Sequence, residues 1–471
     1  MPAIRPSTMN TRSSSRRALT AAAAGLAIST AGLATAGAST VPARAPLHQS
    51  TRAKSGFSGT LNIMGFGTNG DDVAQTRLKL AEAAVAPAQV SAPNGGFTDQ
   101  SFLADLASGN VPDLVYMNSY QLGTYAAKGA LQPLTSCLAT QHVNMGVFTK
   151  AARDMATYNG QVYGLPEFTD DRTLIVNDKA VARAGLKPSD ISTVNWTKLS
   201  QIAKQLTVMK HGKLQTIGFD PKLPEFFPIW VKANGGAIVS DNGLKAELNS
   251  PKDIQALEYA VSLIKEQGGY SRFVTYRNTF NYFGNNSPFA EDQLAVTPFE
   301  NWMYNVIAST TPNVRVTAVP FKDKHGRIID YETGSVWVIP KGAKNAAAAC
   351  QFAATMTSTQ TWLAAAHERI NLYKSKHYAF TGLLTGNHVA DREILGLAER
   401  TSKGSPWLQP VKETYAVEAG SFTVPTSPAS EAVQDAWTTA VTSVLEGQMS
   451  AKQALDQAQS TAQAAIDAAK S

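Results

Sequence analysis

The sequence predicts an α/β protein built as two lobes, with a ligand site where the chain passes between them. Three observations carry this expectation. The 471 residues exceed what a single ordinary core holds. From residue 59 onward, strand-like and helix-like runs alternate as β-α-β-α-β-α, the pattern of a mostly parallel sheet covered on both faces. Within residues 158 to 177, two strand-like runs meet at a short carboxylate-rich passage, and clefts between domains are where small-molecule sites concentrate. A hydrophobic content of 44% with 17% charged residues fits a soluble globular chain.

The passage itself is legible residue by residue. Asn159-Gly160 is a turn pair, Gln161 to Leu165 is short and β-prone, and Pro166 removes a ladder donor. A polar knot follows in Glu167, Thr169, Asp170 and Asp171, and then Thr173 to Val176 reads as a strand buried on both faces. Neighbouring residues on a strand point to opposite faces, so Asp170 and Asp171 diverge and make a poor catalytic pair.

The N-terminus is a separate matter. Arg5, Arg12, Arg16 and Arg17 precede an uncharged Ala-rich run from Ala18 to Ala36 and small-residue cleavage sites, the layout of a bacterial export signal over residues 1–45. Ser15-Arg16-Arg17-Ala18-Leu19 fits either a twin-arginine (Tat) or a general secretory (Sec) signal. A permanent anchor is the competing reading, although Ala, Gly and Thr make this run a weak membrane span. Cleavage near Ala45 leaves 37 basic against 36 acidic residues, so the net charge of +6 falls to +1 and gives no reason to invoke nucleic acid. Residues 46–58 read as a flexible lead-in. Cys137 and Cys350 are the two cysteines, and the sequence leaves open whether they pair or stay buried as free thiols.

The folded region opens with the strand Thr60 to Met64, a glycine-rich turn over 65 to 70, and a helix from Asp71 to about Val85 with Val73, Leu78, Ala81 and Val85 on one stripe. The turn matches Gly-x-Gly-x-x-Gly. The dinucleotide reading fails because the next strand, Ala88 to Ala92, brings no carboxylate for a ribose. Thr98 caps a second helix with Phe102, Leu103, Leu106 and Ala107 as its apolar face, ended by Gly109. The strand Val111 to Met117 and the helix Ser119 to Lys128 follow. Near the end, Ser430 to Lys470 is helical, with Leu455, Ala458, Ala462, Ala465, Ile466 and Ala469 as a short, alanine-dominated stripe that suits packing on the second lobe better than a coiled-coil partner helix.

Several motifs in one order resemble the extracellular solute-binding proteins of bacterial ABC importers, in the family that carries sugars. They are Gly109-Asn110-Val111-Pro112-Asp113-Leu114-Val115, Ala126 to Leu134, Asn177-Asp178-Lys179 with Ala184-Gly185-Leu186, Trp196 to Leu199, Asn234-Gly235-Gly236, Asn249-Ser250-Pro251, Gly334 to Gly342, and Val444 to Leu455. Together they cover essentially the whole chain after residue 59. Thr197 and Lys198 depart from the family's usual acids, and the usual lipid-bearing cysteine after the signal is missing.

The resemblance implies a periplasmic-binding-protein-like fold whose hinge is crossed more than once, with residues 59–167 and 318–372 in lobe 1 and 168–317 and 373–471 in lobe 2. It implies a sugar in the interlobe cleft, ABC permease subunits as membrane partners, a monomer, and no nucleic acid, cofactor or metal. Export would leave the protein periplasmic, at the cell surface or released.

A neutral sugar needs carboxylates and amides for its hydroxyls and aromatic faces for its C–H patches. Asp170, Asp171 and Glu167 stand at the passage, and Glu300-Asn301-Trp302 follows the strand Leu294 to Thr297. The resemblance gives Trp302 the stacking role. Trp230 is read either as an aromatic wall or as helix core, Tyr282 and Phe283 as exposed loop aromatics, Trp407 as a closing residue, and Trp337 as core. Tyr331, Glu332 and Thr333 precede the turn at Gly334 and are read as reaching the ligand through backbone groups. Scattered histidines and the absence of nucleophile or phosphate-loop motifs argue against an enzyme. The alternatives are a binding protein for a polyol phosphate, polyamine or peptide, and a secreted glycan-active enzyme.

Overall fold

The computed structural model describes residues 56–470, so the signal expected over 1–45 and most of the lead-in lie outside the described residues. Among the described residues, no helix is long and apolar enough to cross a membrane.

In chain order the strands are β1 (Thr60–Met64), β2 (Gln89–Ser91), β3 (Leu114–Asn118), β4 (Thr157–Tyr158), β5 (Gln161–Val162), β6 (Gly164–Asp170), β7 (Arg172–Asn177), β8 (Val208–Lys210), β9 (Lys213–Phe219), β10 (Leu294–Glu300), β11 (Val316–Val319), β12 (Asp330–Tyr331), β13 (Thr333–Val338) and β14 (Ser421–Phe422). One sheet has the order β2-β1-β3-β13-β6 and a second the order β11-β7-β10-β9-β8, while β12-β14 and β4-β5 are short pairs.

The opening strands are parallel as expected, β1 pairing with β2 and β3. Elsewhere antiparallel pairing dominates: β13 opposes β3 and β6, and β7 opposes β10 and β11. The reason is topological. The chain leaves the first sheet along β6 and returns to it along β13, and strands that exit and enter at one edge of a sheet run in opposite senses.

Pro166 lies inside β6 rather than ending it. The strand is at the edge of its sheet, and its register slips between Ser335 and Val336, the residue opposite Pro166; edges and bulges are where a strand tolerates a missing donor. β7 is central, buried at every position, in keeping with its unbroken apolar run.

Helix boundaries follow capping. Asp71 accepts from Ala74 N ahead of Asp72–Val85, and Thr98 accepts from Ser101 N ahead of Asp99–Ser108, which ends at Gly109 with φ of 77°. The apolar face expected on the latter helix is narrower than its sequence: Phe102 is buried, but Leu103 is 46% exposed. Gly65 in the glycine-rich turn has φ of +84°, and a Cβ there would stand 2.2 Å from the Tyr116 carbonyl oxygen. That turn serves the close approach of neighbouring strands.

Side chains alternate across the first sheet, with Leu61, Ile63, Leu114 and Trp337 in one core and Val115, Met117, Val336 and Val338 in the other. The second sheet is buried in a larger core that includes Trp230, Trp407 and the C-terminal helices Ser430–Leu445 and Ala451–Ala468. Cys137 and Cys350 form a disulfide with Cα atoms 5.6 Å apart.

The passages between sheets fall at 170–172 and at 320–332, since β11 belongs to the second sheet up to Val319. The helix Thr359–Lys376 runs through the boundary expected at 372. With Ala390, Ile394 and Ala398 of the helix His388–Thr401 it forms a core with Val73 of the helix Asp72–Val85. These are packing boundaries, which apolar periodicity does not mark.

Candidate functional site

Two strands running toward each other place the charged groups of the site. Asp170 ends β6, Arg172 begins β7, and β10 ends at Glu300, the register partner of Arg172. The strand alternation holds. Asp171 turns to one face, where Thr169 Oγ1 donates to its Oδ2 at 3.2 Å, while Arg172 turns to the other. There Arg172 Nη1 donates to the Asp170 carbonyl at 2.7 Å and to the Tyr331 carbonyl, and Nη2 donates to Thr333 Oγ1 at 2.9 Å. Nη2 is also 3.6 Å from Glu300 Oε1. The guanidinium lies 4.6 Å from the Phe226 ring centre and 4.8 Å from that of Tyr331.

Asn301 ties the end of β10 to the first passage. Its backbone amide donates to the Asp171 carbonyl at 2.9 Å and its side-chain amide to the Thr169 carbonyl at 3.2 Å. Trp302 therefore begins the helix Trp302–Thr310 beside the passage. Phe299 meets Trp302 edge-on at 5.4 Å, and Phe283, 64% exposed, lies parallel to it at 6.0 Å with 2° between planes. Tyr282 packs on Phe299 at 5.3 Å. Lys222, from the loop after β9, sits 3.9 Å over the Phe299 ring and 3.6 Å from Glu225.

Burial, reinforced by Glu300 and opposed by Arg172, pushes Asp170 up to about 8. Its Oδ1 is buried with no hydrogen-bond partner. Burial also raises Glu300, against the pull of Arg172 and Lys222. Desolvation pushes Glu225 up, but Lys222 and Arg172 outweigh it and hold the carboxyl below its ordinary range. With 56% of that side chain exposed, solvent screens these effects. Both cations of the site are thus already engaged by carboxylates, and one acid is driven toward neutrality.

Of the residues singled out in the sequence, Asp170, Tyr282, Glu300, Asn301 and Trp302 come together here. Four others do not. Glu167 is 1% exposed, bound to Arg77 at 2.5 Å and to the Trp337 indole N–H at 2.5 Å; it neutralises a buried arginine. Trp337 is core, as read. Trp230 is fully buried and donates to the Pro221 carbonyl at 3.0 Å, so the helix-core reading holds. Trp407 is 5% exposed in the same core. Asp171 faces Ser421 rather than Asp170. Gly334 is buried against β6, where a Cβ would stand 2.2 Å from the Phe168 carbonyl oxygen; it lets β13 and β6 approach. Arg172, Lys222 and Glu225 were missed. The signal for the last two was their loop, Asp220 to Glu225, at the carboxyl end of β9, where α/β sheets place ligands.

A separate groove of about 880 Å³ is lined by Lys150, Asp154 and Tyr158 on one side, by Lys232 and Asp241 on the other, and by residues 421–426. It contains the turn pair Asn159-Gly160 but none of the candidate binding residues named from the sequence. Ser421, which lines it, bonds Asp171, so the groove lies on the opposite face from Asp170. Chemistry favours the Asp170 face, where desolvated charges meet exposed aromatic rings; in the groove, Lys150 and Asp154 pair with each other at the surface.

A family model described as bacterial extracellular solute-binding protein matches residues 89–373. The arabinooligosaccharide-binding protein of Bacillus subtilis is 22% identical over 255 residues, 50% of this chain and 57% of that protein. The lactose-binding protein of Rhizobium radiobacter is 29% identical over 113 residues, 26% of its length; the chain thus spans about half or less of these curated relatives. Among solved structures, a protein designated CpMnBP1 with mannobiose bound superposes with a TM-score of 0.69 at 21% identity, covering 86% of this chain and 100% of that one. A substrate-binding protein of Listeria monocytogenes in complex with cycloalternan does so with a TM-score of 0.69 at 19% identity, covering 87% and 99%. At these identities the likeness is one of fold.

Proposed function

This chain belongs to the bacterial extracellular solute-binding proteins, and from that premise we propose that it captures a neutral mono- or oligosaccharide between its two sheet-centred lobes and delivers it to an ABC permease. The lobes close on the ligand by hinge motion at the passages 170–172 and 320–332. The permease docks on the lobe surfaces, ATP is hydrolysed by another subunit, and the protein acts outside the cytoplasm as a monomer.

The observation that carries the proposal is the tie made by Asn301, which brings Trp302 and Glu300 to the passage that bears Asp170. Carboxylates accept from sugar hydroxyls, and the exposed Phe283 and half-buried Trp302 supply flat apolar faces for C–H patches. The committed state of Arg172 and Lys222 argues against a polyol phosphate, which needs a cation free to bind it. A hydrolytic role fits poorly. Asp170, Glu225 and Glu300 all act on the one Arg172 charge and on one another, whereas glycosidase carboxylates stand about 5 Å or more apart to flank the bond they cleave.

The test is a thermal-shift screen of the mature protein against mono- and oligosaccharides, followed by titration calorimetry of the best ligand with the wild type and with Trp302→Ala. Saturable binding that Trp302→Ala weakens supports the proposal. An absence of any sugar response, or a Trp302→Ala affinity equal to the wild type, overturns it.

A further inference from the structure

Beneath the first passage, on the face opposite Asp170, three acids converge. One carboxylate oxygen from each of Asp171, Asp330 and Glu332 lies within 4.8 Å of the other two, and all three residues are fully buried. Hydroxyls ring them: Thr149 Oγ1 donates to Glu332 Oε1 at 3.3 Å, Thr169 Oγ1 to Asp171 Oδ2 at 3.2 Å, and the Arg172 backbone amide to Asp330 Oδ1 at 2.8 Å. Ser421 Oγ stands 2.8 Å from Asp330 Oδ2 and 3.3 Å from Asp171 Oδ1, with one hydrogen for two carboxylates.

Two features show that this donor set is incomplete. Glu332 Oε2 is buried with no hydrogen-bond partner, and so is Oδ2 of the nearby Asp391, itself 1% exposed. In addition, no Lys, Arg or His forms a salt bridge with Asp171, Asp330 or Glu332 among the described residues. The side chain of Arg172, the nearest cation in sequence, is spent on the opposite face. Buried carboxylates without a counter-charge either take up protons or hold a cation.

We infer that Asp171, Asp330 and Glu332 bind one hard divalent cation, Ca²⁺ in preference to Mg²⁺. The donors are all oxygen, which disfavours zinc and copper. Ca²⁺ takes about six to eight oxygens at about 2.3 to 2.6 Å in flexible geometry, whereas Mg²⁺ demands a near-ideal octahedron at about 2.1 Å and gives up its water reluctantly, which a fully buried, all-protein donor set requires. Nothing in the sequence pointed to a metal here, since Asp171 lies far along the chain from Asp330 and Glu332. Asp171 follows β6, Asp330 lies in β12, and Glu332 stands between β12 and β13. An ion held there ties together the two passages between the sheets, and through Ser421 also β14. It acts on the hinge and not on the ligand, and it does not depend on what the cleft binds.

The experiment uses the full exported protein purified without chelator. Elemental analysis gives the bound metal, and thermal unfolding at pH 7 is compared after EGTA stripping and after adding back CaCl₂ or MgCl₂. The expected result is about one Ca²⁺ per chain, with Tm lowered by EGTA and raised by roughly 5 °C when Ca²⁺ is restored at a hundredfold excess over its Kd. Glu332→Gln, which keeps the side-chain shape, should lower Ca²⁺ affinity at least tenfold by calorimetry, with Asp330→Asn as a second variant. No bound Ca²⁺ and a Tm indifferent to EGTA and CaCl₂ overturn the inference and leave protons as the neutralising species. The wild-type measurement decides even where a variant does not fold.

Discussion

Asn301 donates its backbone amide to the carbonyl of Asp171 at 2.9 Å, joining the end of β10 to the point where the chain first passes between sheets. Through that bond Trp302 is held beside the passage by the backbone rather than by its own packing. Removing the indole therefore should not move the passage.

Trp302→Ala is expected to lower sugar affinity at least about 30-fold, equivalent to about 2 kcal/mol, with the fold retained. Phe283→Ala should act in the same direction and more weakly, because its ring is the more exposed of the pair. Calorimetry on the best ligand from the screen measures both.

Glu167 should behave as a residue of the core. Glu167→Ala leaves Arg77, 4% exposed, without its carboxylate, and is expected to cost about 3 to 5 kcal/mol of stability. Denaturant unfolding measures the loss. Sugar affinity of the folded fraction should match the wild type, and a selective loss of affinity would return Glu167 to the binding site.

Cys137 and Cys350 close a loop of 213 residues in sequence separation. Replacing both by Ser should cost roughly 3 to 5 kcal/mol, seen as a lower denaturant midpoint. Adding reductant to the wild type should reproduce the shift.

Glu431 sets part of the pH dependence. Burial, then its hydrogen bond with Asp99, pushes its carboxyl from 4.5 up to about 7. A carboxyl whose folded pKa is raised binds more protons folded than unfolded, so its contribution is complete below about pH 4.5 and is lost as pH rises to about 7. Unfolding free energy should fall across that window, and Glu431→Gln should flatten the slope. A slope unchanged in the variant would assign the dependence to other groups.

What could be read from the chain follows from what is local. The apolar run Thr173 to Val176 needs no partner to be recognised as a central strand, and Asp71 and Thr98 cap their helices through bonds to residues three positions on. The resemblance likewise rests on short motifs kept in order. The convergence of Asp170, Glu300 and Trp302 in the candidate site was legible, because acids and an aromatic stand at strand ends. Glu167 and Trp407 lie in the core instead, and Trp230 takes the core side of its two readings, because a buried salt bridge to Arg77 or a packed indole leaves no local mark on the sequence.

Sequence by itself determined the alternation of strands and helices, the divergence of Asp170 from Asp171, and the family to which the motifs point, since each depends on backbone geometry over a few residues. Tertiary structure alone decided that β13 returns antiparallel to β6, that Arg172 and Lys222 share the site with its acids, and that Asp171 meets Asp330 and Glu332 across some 160 residues of chain. Those relationships exist only when distant segments share a volume from which water is excluded, and there the search for a counter-charge governs what each carboxylate does.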